Sequence, residues 1–368
     1  MRIAIIAITR DGARLGARLR DGLGSASLHV LGKYRGEGGK ESVPFTGDLK
    51  ELVGRLWPPS HPSPQRGEGE GGGEDSYTGF VFIMAAGIVV RMIAPLIESK
   101  DKDPAVVVMD DCGRFAISLL SGHLGGANEL ASRCAFVTGA REVITTATDG
   151  HGLPSFDMLA REEGWGIDDL SRVKVLNSLL LDGEEIAVVD ATGRVRPWFH
   201  GRGRLSFRDT FVEALQSGAK GFLFVTNRHL PPQALSESLL ILRPRNLVLG
   251  IGCNSGTGAA EIEEVVATNL KRLFLSVKSV RCIASAAAKR GEAGLLAFAG
   301  NHALPIAFYE SDELNGVSAP SPPSPHALGA IGAVGVAEPA ALLASEGGRL
   351  ILKKVKSGNV TLAIAETA

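Results

Sequence analysis

The chain alternates short apolar runs with amphipathic stretches, and glycine or other turn residues bound most of the runs. Short apolar runs predict buried β-strands, whereas apolar positions spaced three and four residues apart predict helices. The predicted strands are Arg2–Ile8, Gly79–Met84, Ala105–Met109, Phe115–Leu120, Val143–Thr146, Glu185–Asp190, Gly221–Thr226, Leu247–Ile251, Val280–Ala284, Leu350–Val355 and Val360–Ala365. The predicted helices are Ala85–Glu98, Asn128–Thr138, Ala259–Leu270, Glu292–Ala299 and Val336–Ser345. Strands that alternate with helices favour an α/β fold.

Two breaks in this pattern divide the chain into three predicted modules. Thr145–Gly150 ends a predicted strand in turn residues, and Arg243–Asn246 precedes a new apolar strand. We therefore predict an N-terminal α/β domain at residues 1–150, a central module at 151–244 and a C-terminal α/β domain at 245–368. Mostly parallel, helix-covered sheets are expected in the first and the last of these.

One internal segment of the N-terminal domain does not fit either pattern. Residues 57–76 are rich in proline, glycine and glutamate, and no apolar residue follows Trp57. Such a segment buries too little apolar surface to offset the entropy of ordering it. It is predicted to be a disordered insertion at the surface.

Composition and charge restrict the possible partners. Hydrophobic residues make up 45% of the chain and charged residues 21%, with a net charge of −1, so no general attraction to nucleic acid or to a membrane is expected. Cys112, Cys134, Cys253 and Cys282 lie far apart, which predicts free thiols and no protein-bound metal. The N-terminal apolar run stops at Thr9, too early for a signal peptide or a membrane span, so a cytoplasmic protein is predicted.

The most informative segment reads as a strand, a glycine-rich turn and a helix at residues 115–131. Its candidate functional residues are Ser121, Gly122, His123, Gly125, Gly126 and Asn128. Glycine lets the backbone bend sharply and lets a ligand approach the N–H groups, and a helix N-terminus favours negative charge. Because His123 can exchange a proton near neutral pH, the turn suits a carboxylate-rich substrate and an activated water. The alternative is a tight loop whose histidine only caps the helix.

A second glycine turn follows the predicted strand Leu247–Ile251. Its candidate ligand-binding residues are Gly252, Cys253, Gly256 and Thr257. The glycine spacing departs from the dinucleotide fingerprint, and no Gly-Lys-Ser/Thr phosphate loop is present. Anion binding by this turn stays open, and so does a nucleotide-dependent enzyme as a rival function. Cys253 is either a reactive thiol at a helix N-terminus or a small core residue.

Four charged residues are further candidates for contact with substrate carboxylates or for helix-end pairing. Arg91 lies on a predicted helix and Lys100 opens a charged run. A solvated helix end is the default interpretation of both, and pairing with a substrate carboxylate is the alternative. Lys289 precedes a predicted helix and Glu292 begins it, so an ordinary helix-start pair is the simpler interpretation.

Taken together, these segments resemble the cobalt-precorrin-5A hydrolases, the cobalamin biosynthesis protein G family of the anaerobic pathway. The Ser-Gly-His-x-Gly-Gly-Ala-Asn element at residues 121–128 is the most specific part of the likeness. The other segments that carry it are residues 87–95, 100–108, 143–149, 250–257, 292–296, 308–314 and 336–338. Only residues 57–76 have no counterpart.

The resemblance implies three α/β modules and a defined reaction. That reaction is hydrolysis of the ring-contracted δ-lactone of cobalt-precorrin-5A with release of acetaldehyde, which gives cobalt-precorrin-5B. The substrate would be a small-molecule cobalt tetrapyrrole that brings its own cobalt, so no protein-bound cofactor is implied. Contacts with neighbouring pathway enzymes are left open.

The C-terminal domain departs from the family pattern at two places. Residues 285–292 lack two aspartates that the family pattern leads us to expect, because Ala287 and Gly291 stand in that stretch. Asn254 and Ser255 stand where two basic residues are expected. Substrate contacts from this domain are therefore the least secure part of the resemblance.

These residues suggest a mechanism in which His123 is the general base that directs water onto the lactone carbonyl, with Ser121 beside it. The backbone N–H groups after Gly125 and Gly126 would stabilise the oxyanion. This mechanism requires the imidazole to project into a cleft wide enough for a macrocycle. A non-catalytic carrier of corrinoid intermediates is the rival from another class.

Overall fold

The computed structural model describes residues 1–58, 77–99, 102–231 and 236–367. The chain divides into two compact units, Met1–Met158 and Leu159–Ala368. The module boundaries at 150/151 and 244/245 stay predictions. The disorder expected at 57–76 falls almost wholly outside the described residues, but Trp57 is buried and stacks on Phe80 with ring centroids 5.1 Å apart. Trp57 therefore belongs to the core and not to the insertion.

The first unit is a seven-stranded sheet with helices on both faces. Its strands are β1 (Ile3–Ala7), β2 (Ala26–Leu31), β3 (Val43–Phe45), β4 (Gly79–Ile83), β5 (Ala105–Met109), β6 (Phe115–Leu120) and β7 (Arg141–Val143), in the order β3-β2-β1-β4-β5-β6-β7. All neighbouring pairs are parallel except β5 and β6. Its helices are α1 (Arg10–Leu23), α2 (Leu49–Leu56), α3 (Ala86–Ile93), α4 (Ala127–Thr138) and α5 (Ala147–Gly150), and α6 (Phe156–Glu162) crosses into the second unit.

Strand β1 shows why these short runs form buried strands. Successive side chains of a strand point to opposite faces of the sheet. Ile3 and Ile5 join the core beneath α1 and α4, whereas Ala4 and Ile6 join the core beneath α2 and α3. A strand covered on both faces needs apolar residues at every position, which explains the continuous apolar run.

The second unit contains two five-stranded sheets. The first has the order β10-β9-β11-β12-β8 and consists of β8 (Gly166–Ile167), β9 (Ile186–Asp190), β10 (Leu205–Phe207), β11 (Gly221–Val225) and β12 (Leu239–Arg243). Its helices are α7 (Leu170–Leu181), α8 (Val195–Phe199) and α9 (Phe211–Gln216). Only the short β8 is antiparallel to its neighbour.

The second sheet of this unit has the order β15-β14-β13-β17-β16. Its strands are β13 (Leu247–Cys253), β14 (Val280–Ala286), β15 (Ile306–Tyr309), β16 (Arg349–Ser357) and β17 (Val360–Glu366). The first three are parallel, and the β16–β17 hairpin adds two antiparallel strands beside β13. The helices are α10 (Ala259–Arg272), α11 (Ala293–Asn301), α12 (Ser311–Asn315), α13 (Pro325–Ile331) and α14 (Ala337–Ala344).

The expectation of an α/β protein with mostly parallel, helix-covered sheets is confirmed, although some predicted bounds were wrong. The helix expected at Ala85–Glu98 ends at Ile93 and continues as a 3-10 turn at Ala94–Leu96, because Pro95 lacks an N–H and interrupts the helix. The strand expected at Val143–Thr146 ends at Val143. None of the helices in the described part of the chain combines the length and the apolar character that a bilayer-spanning segment needs.

Candidate active site

The turn between β6 and α4 is closed by its own backbone. The N–H of Ala127 donates to Ser121 O and that of Asn128 to Gly122 O, both at 3.0 Å. Gly126 has a φ of 88° at the N-terminus of α4, a left-handed conformation that favours glycine. Because β6 runs antiparallel to β5, this turn lies next to the start of β5, where Leu120 pairs with Val106.

Two glycines of this turn are required by packing inside the turn itself. A Cβ on Gly125 would lie 2.4 Å from Ser121 Cβ and 2.8 Å from Ser121 O. A Cβ on Gly122 would lie 2.7 Å from Asn128 Oδ1. The structure thus gives a steric reason for both glycines that needs no ligand, and their contact with substrate stays a prediction.

His123 lies between two carboxylates. Its Nδ1 is 3.0 Å from Asp157 Oδ2, and its Nε2 is 2.8 Å from Asp149 Oδ2. The Asp157 side chain is 11% exposed and that of Asp149 is 44% exposed, while the imidazole itself is 15% exposed. Thr148 Oγ1 and Ser155 Oγ stand further off, at 3.4 and 3.5 Å from Nε2 and Nδ1. The ring is therefore held from both sides, and its Nε2 side is the one nearer to solvent.

The two carboxylates control the charge of this imidazole. Burial lowers the pKa of His123, but the hydrogen bonds and charges of Asp157 and Asp149 raise it by more, so the pKa lies above its ordinary value of 6.5. With both carboxylates ionised, each ring nitrogen donates one hydrogen bond, which is the pattern of an imidazolium. The two carboxylates thus favour the protonated form of His123 over the neutral form in the free protein.

Asn128 links the turn to Thr146 and Asp149 through its side-chain amide. Its Oδ1 accepts a hydrogen bond from Ser118 Oγ at 2.7 Å, so its amide NH₂ faces Thr146 Oγ1 at 3.1 Å and Asp149 Oδ2 at 3.0 Å. The Thr146 hydroxyl also donates to Asp149 Oδ2. His123, Asn128 and Thr146 thus place three donors around a single carboxylate oxygen.

Two sequence-based expectations for this turn require correction. The N–H groups after Gly125 and Gly126 are those of Gly126 and Ala127, and they already donate to His123 O and Ser121 O at 3.0 Å, so they do not form an oxyanion hole in this conformation. The imidazole does not project into an open cleft either, because both of its nitrogens contact carboxylates and most of the ring is buried.

Ser121 occupies an unusual position at the start of the turn. Its φ is 57°, a left-handed value that is uncommon outside glycine, and its Oγ is buried without a hydrogen-bond partner among the described residues. It therefore forms no nucleophile–base pair with His123. Strain of this kind occurs at functional sites, and a catalytic role for Ser121 stays a prediction.

The candidate residues of the C-terminal domain form a separate cluster at the end of β13. Glu292 accepts a hydrogen bond from Gly256 N–H at 2.6 Å and one from Lys289 Nζ at 3.1 Å, which together lower the pKa of its carboxyl group. Lys289 also lies 3.4 Å from Ser255 Oγ. The Gly256 N–H, which was expected to bind a substrate anion, thus already donates to the carboxylate of Glu292.

The remaining residues of this turn are held by packing. Cys253 is half-buried, and burial raises the pKa of its thiol, which argues against a reactive thiol. A Cβ built on Gly252 would lie 3.4 Å from Val336 Cβ. Thr257 is buried, and its hydroxyl donates to Asn254 O at 2.7 Å. Gly250 leaves no room between β13 and α14, a packing reason that needs no nucleotide.

Two further cations were proposed to bind the substrate. Arg91 is exposed on α3, and its guanidinium donates to Gly87 O at 3.2 Å, as at an ordinary solvated helix end. Lys100 lies outside the described residues. Substrate contact by either residue stays a prediction.

Sequence reasoning missed three residues of the site, namely Asp149, Asp157 and Thr146. Asp149 and Asp157 are 26 and 34 residues from His123 along the chain. Thr146 and Asp149 lie inside the segment at 143–149 that carries part of the resemblance, and this was the available signal. No sequence signal pointed to Asp157, because it lies beyond that segment.

Comparison with known proteins decides the family. Three family models match the chain: cobalamin synthesis G N-terminal at residues 74–149, the cobalamin biosynthesis central region at 154–244 and cobalamin synthesis G C-terminus at 247–365. A cobalt-precorrin-5A hydrolase from Priestia megaterium is 35% identical over 370 residues, which cover 98% of this chain and 94% of that protein. The chain belongs to the cobalamin biosynthesis protein G family. The resemblance seen in the sequence is confirmed, and so is a role in cobalamin biosynthesis.

Other members of the cobalamin biosynthesis protein G family are also similar. A cobalt-precorrin-5A hydrolase from Salmonella typhimurium is 31% identical over 377 residues and covers 98% of this chain and 97% of its own. The crystal structure of a putative cobalamin biosynthesis protein G homologue from Sulfolobus solfataricus is 21% identical and covers 100% of this chain and 97% of its own, with a TM-score of 0.36.

The family boundaries cut through the His123 site. His123, Asn128, Thr146 and Asp149 lie in the N-terminal family region, which ends at residue 149, whereas Asp157 lies in the central region, which starts at 154. Both regions supply a carboxylate to the same imidazole.

Proposed function

We propose that the protein is a cobalt-precorrin-5A hydrolase that opens the ring-contracted δ-lactone of its substrate and releases acetaldehyde to give cobalt-precorrin-5B. Identity to relatives of that name over nearly the whole chain supports the substrate. The observation that carries the chemistry is an imidazole whose Nδ1 is held by a buried carboxylate, Asp157, at 3.0 Å. A histidine oriented in this way is suited to general-base catalysis through its other nitrogen.

The first step is hydrolysis. Neutral His123 takes a proton from water at Nε2 while the water oxygen bonds to the lactone carbonyl carbon, and Asp157 stabilises the imidazolium that forms. The acyl C–O bond then breaks, which leaves an alkoxide and a carboxylic acid, and the acid becomes a carboxylate by releasing its proton to solvent. Because the imidazole does not face an open cleft in the free protein, the carboxylate of Asp149 must first leave Nε2 and uncover the ring. The partial exposure of Asp149 makes it the movable neighbour.

The second step is a retro-aldol cleavage. The alkoxide forms a carbonyl group as the adjacent C–C bond breaks, which releases acetaldehyde and leaves a carbanion on the macrocycle. The carbanion takes up the proton that His123 removed from water, so one water is consumed for each acetaldehyde. Cobalt enters as part of the substrate and withdraws electron density from that carbon, so this step depends mainly on the substrate.

The test is to incubate the protein with cobalt-precorrin-5A and to trap acetaldehyde with a coupled reductase. We expect one equivalent of acetaldehyde for each substrate consumed, together with a change in the tetrapyrrole absorption spectrum. Binding of the cobalt intermediate without acetaldehyde release would contradict the proposal and would support a non-catalytic carrier.

Replacement of Asp157 is expected to change the pH profile of the reaction. Neutral His123 is the active form, so kcat/KM of the wild type rises with pH through a pKa above 6.5. Asp157→Asn removes a carboxylate that raises this pKa, so the rising limb should move to lower pH. The limiting rate should fall by about 10²-fold or more, because the amide no longer fixes the tautomer.

The measurement is kcat/KM between pH 5 and 9, chosen to bracket the ordinary pKa of histidine of about 6.5. Asp21→Asn, at a carboxylate that is 68% exposed and pairs only with Arg20 in the described structure, is the matched control. An Asp157→Asn profile that superimposes on the wild-type profile would rule out this role for Asp157.

A further inference from the structure

Three donors converge on one oxygen atom of Asp149. They are His123 Nε2 at 2.8 Å, Asn128 Nδ2 at 3.0 Å and the Thr146 hydroxyl, and we call them the donor triad. Convergent donors, one of them on an imidazolium, form the usual binding arrangement for a carboxylate oxygen in proteins.

The donor triad is fixed independently of Asp149. Asn128 is buried, and Ser118 holds its Oδ1 at 2.7 Å, which directs the NH₂ group toward the site. Thr146 Oγ1 accepts a hydrogen bond from that NH₂ group at 3.1 Å, so its own proton points away from Asn128. Asp157 holds the far side of the imidazole. Departure of Asp149 would therefore leave a preformed arrangement of three donors that point to one position.

Asp149 is the replaceable member of this arrangement. Its side chain is 44% exposed, compared with 11% for Asp157, so a ligand that arrives from solvent meets Asp149 first. It lies on the four-residue helix α5, next to Gly150, where a built Cβ would meet nothing within 4 Å. Space is thus available around the segment that carries it.

We propose that the donor triad is a carboxylate-binding subsite, which Asp149 fills in the free protein and which the carboxylate created by lactone opening fills during the reaction. The water that His123 activates becomes one oxygen of that carboxylate, so the new group forms beside Nε2, where Asp149 Oδ2 lies in the free protein. Asn128 and Thr146 then stabilise the negative oxygen that develops on the carbonyl, a role that the turn N–H groups cannot fill. The identity of the natural ligand rests on the proposed function, whereas the existence of the subsite does not.

Acetate tests the subsite without any turnover. In Asp149→Ala the donor triad is empty, and we expect sodium acetate at about 100 mM to raise the melting temperature of the full-length variant by about 2–4 °C relative to equal sodium chloride. The wild type, whose subsite is filled, should not respond. The double variant Asp149→Ala/Asn128→Ala should lose the acetate response. No acetate-specific rise in Asp149→Ala, or an equal rise in the double variant, would overturn the proposal.

The titration of His123 provides a second readout if Asp149→Ala is too unstable for melting experiments. Nitrogen NMR of labelled histidine, assigned with a His123→Gln variant, should show a His123 pKa that falls in Asp149→Ser, whose shorter side chain leaves the subsite empty, and rises again with acetate. A pKa that is insensitive to acetate would contradict the subsite. Absence of acetaldehyde release with an intact acetate response would refute only the proposed function, so the two failures are distinguishable.

Discussion

A His123→Ala variant is expected to release acetaldehyde from cobalt-precorrin-5A about 10²- to 10⁴-fold more slowly than the wild type, the usual contribution of a positioned general base. The variant removes the proton acceptor and one member of the donor triad, while Asn128 keeps its hydrogen bond with Ser118. Substrate affinity should therefore fall much less than the rate. Single-turnover acetaldehyde release, together with a spectroscopic titration of the bound tetrapyrrole, separates the two effects.

His151→Ala is the matched control. His151 lies just after α5, close to Asp149 in sequence, but its side chain is exposed. This variant should turn over at the wild-type rate. Wild-type turnover by His123→Ala would remove the assignment of the general base, even if the protein proved to be the hydrolase.

A Gly250→Ala variant is expected to destabilise the second unit by about 3 kcal/mol, the upper part of the usual range for overpacking in a core. A Cβ at this position would lie 1.9 Å from Ala337 O and 2.8 Å from Ala341 Cβ. Both atoms belong to α14, and a backbone carbonyl cannot rotate away as a flexible side chain can. The strand and the helix must separate, which disrupts the buried alanine packing around Ala340.

The same strand offers the control. Gly252→Ala places its Cβ 3.4 Å from Val336 Cβ, an ordinary van der Waals contact, and should change the free energy of unfolding by less than about 1 kcal/mol. Urea denaturation followed by circular dichroism gives both values. Equal midpoints for the two variants would show that β13 and α14 are not packed as closely as described.

The fold could be predicted from the sequence wherever a strand is buried on both faces. Ala105–Met109 is apolar at every position, and β5 has the predicted bounds and is completely buried. Helix α1 was missed because its many charged residues conceal the spacing of its buried leucines, Leu15, Leu19 and Leu23. Strand β12 was missed because it ends in a charged residue, Arg243. This residue is buried in the folded chain, where its guanidinium donates to Asp168 Oδ2 and to the carbonyl oxygens of Thr226 and Arg228.

The site could be predicted only where it is local in sequence. The turn at 121–128 carries its own signal, since Gly125 and Gly126 are needed to bend it. The carboxylates that determine the charge of His123 come from other segments, and no periodicity relates Asp149 or Asp157 to that residue. The occupancy of turn amides by internal acceptors is likewise a property of the folded backbone, which motif spacing does not report.

The strand order of the last sheet affects how this protein folds during synthesis. Strand β17 is the last of its strands to be made, yet it lies in the interior of the sheet between β13 and β16. While the ribosome is still adding residues before Val360, β13 has β14 on one side and an open edge on the other. An open, apolar edge is prone to pair with other chains, so a nascent polypeptide stalled at that stage is the form most exposed to aggregation and most in need of chaperones.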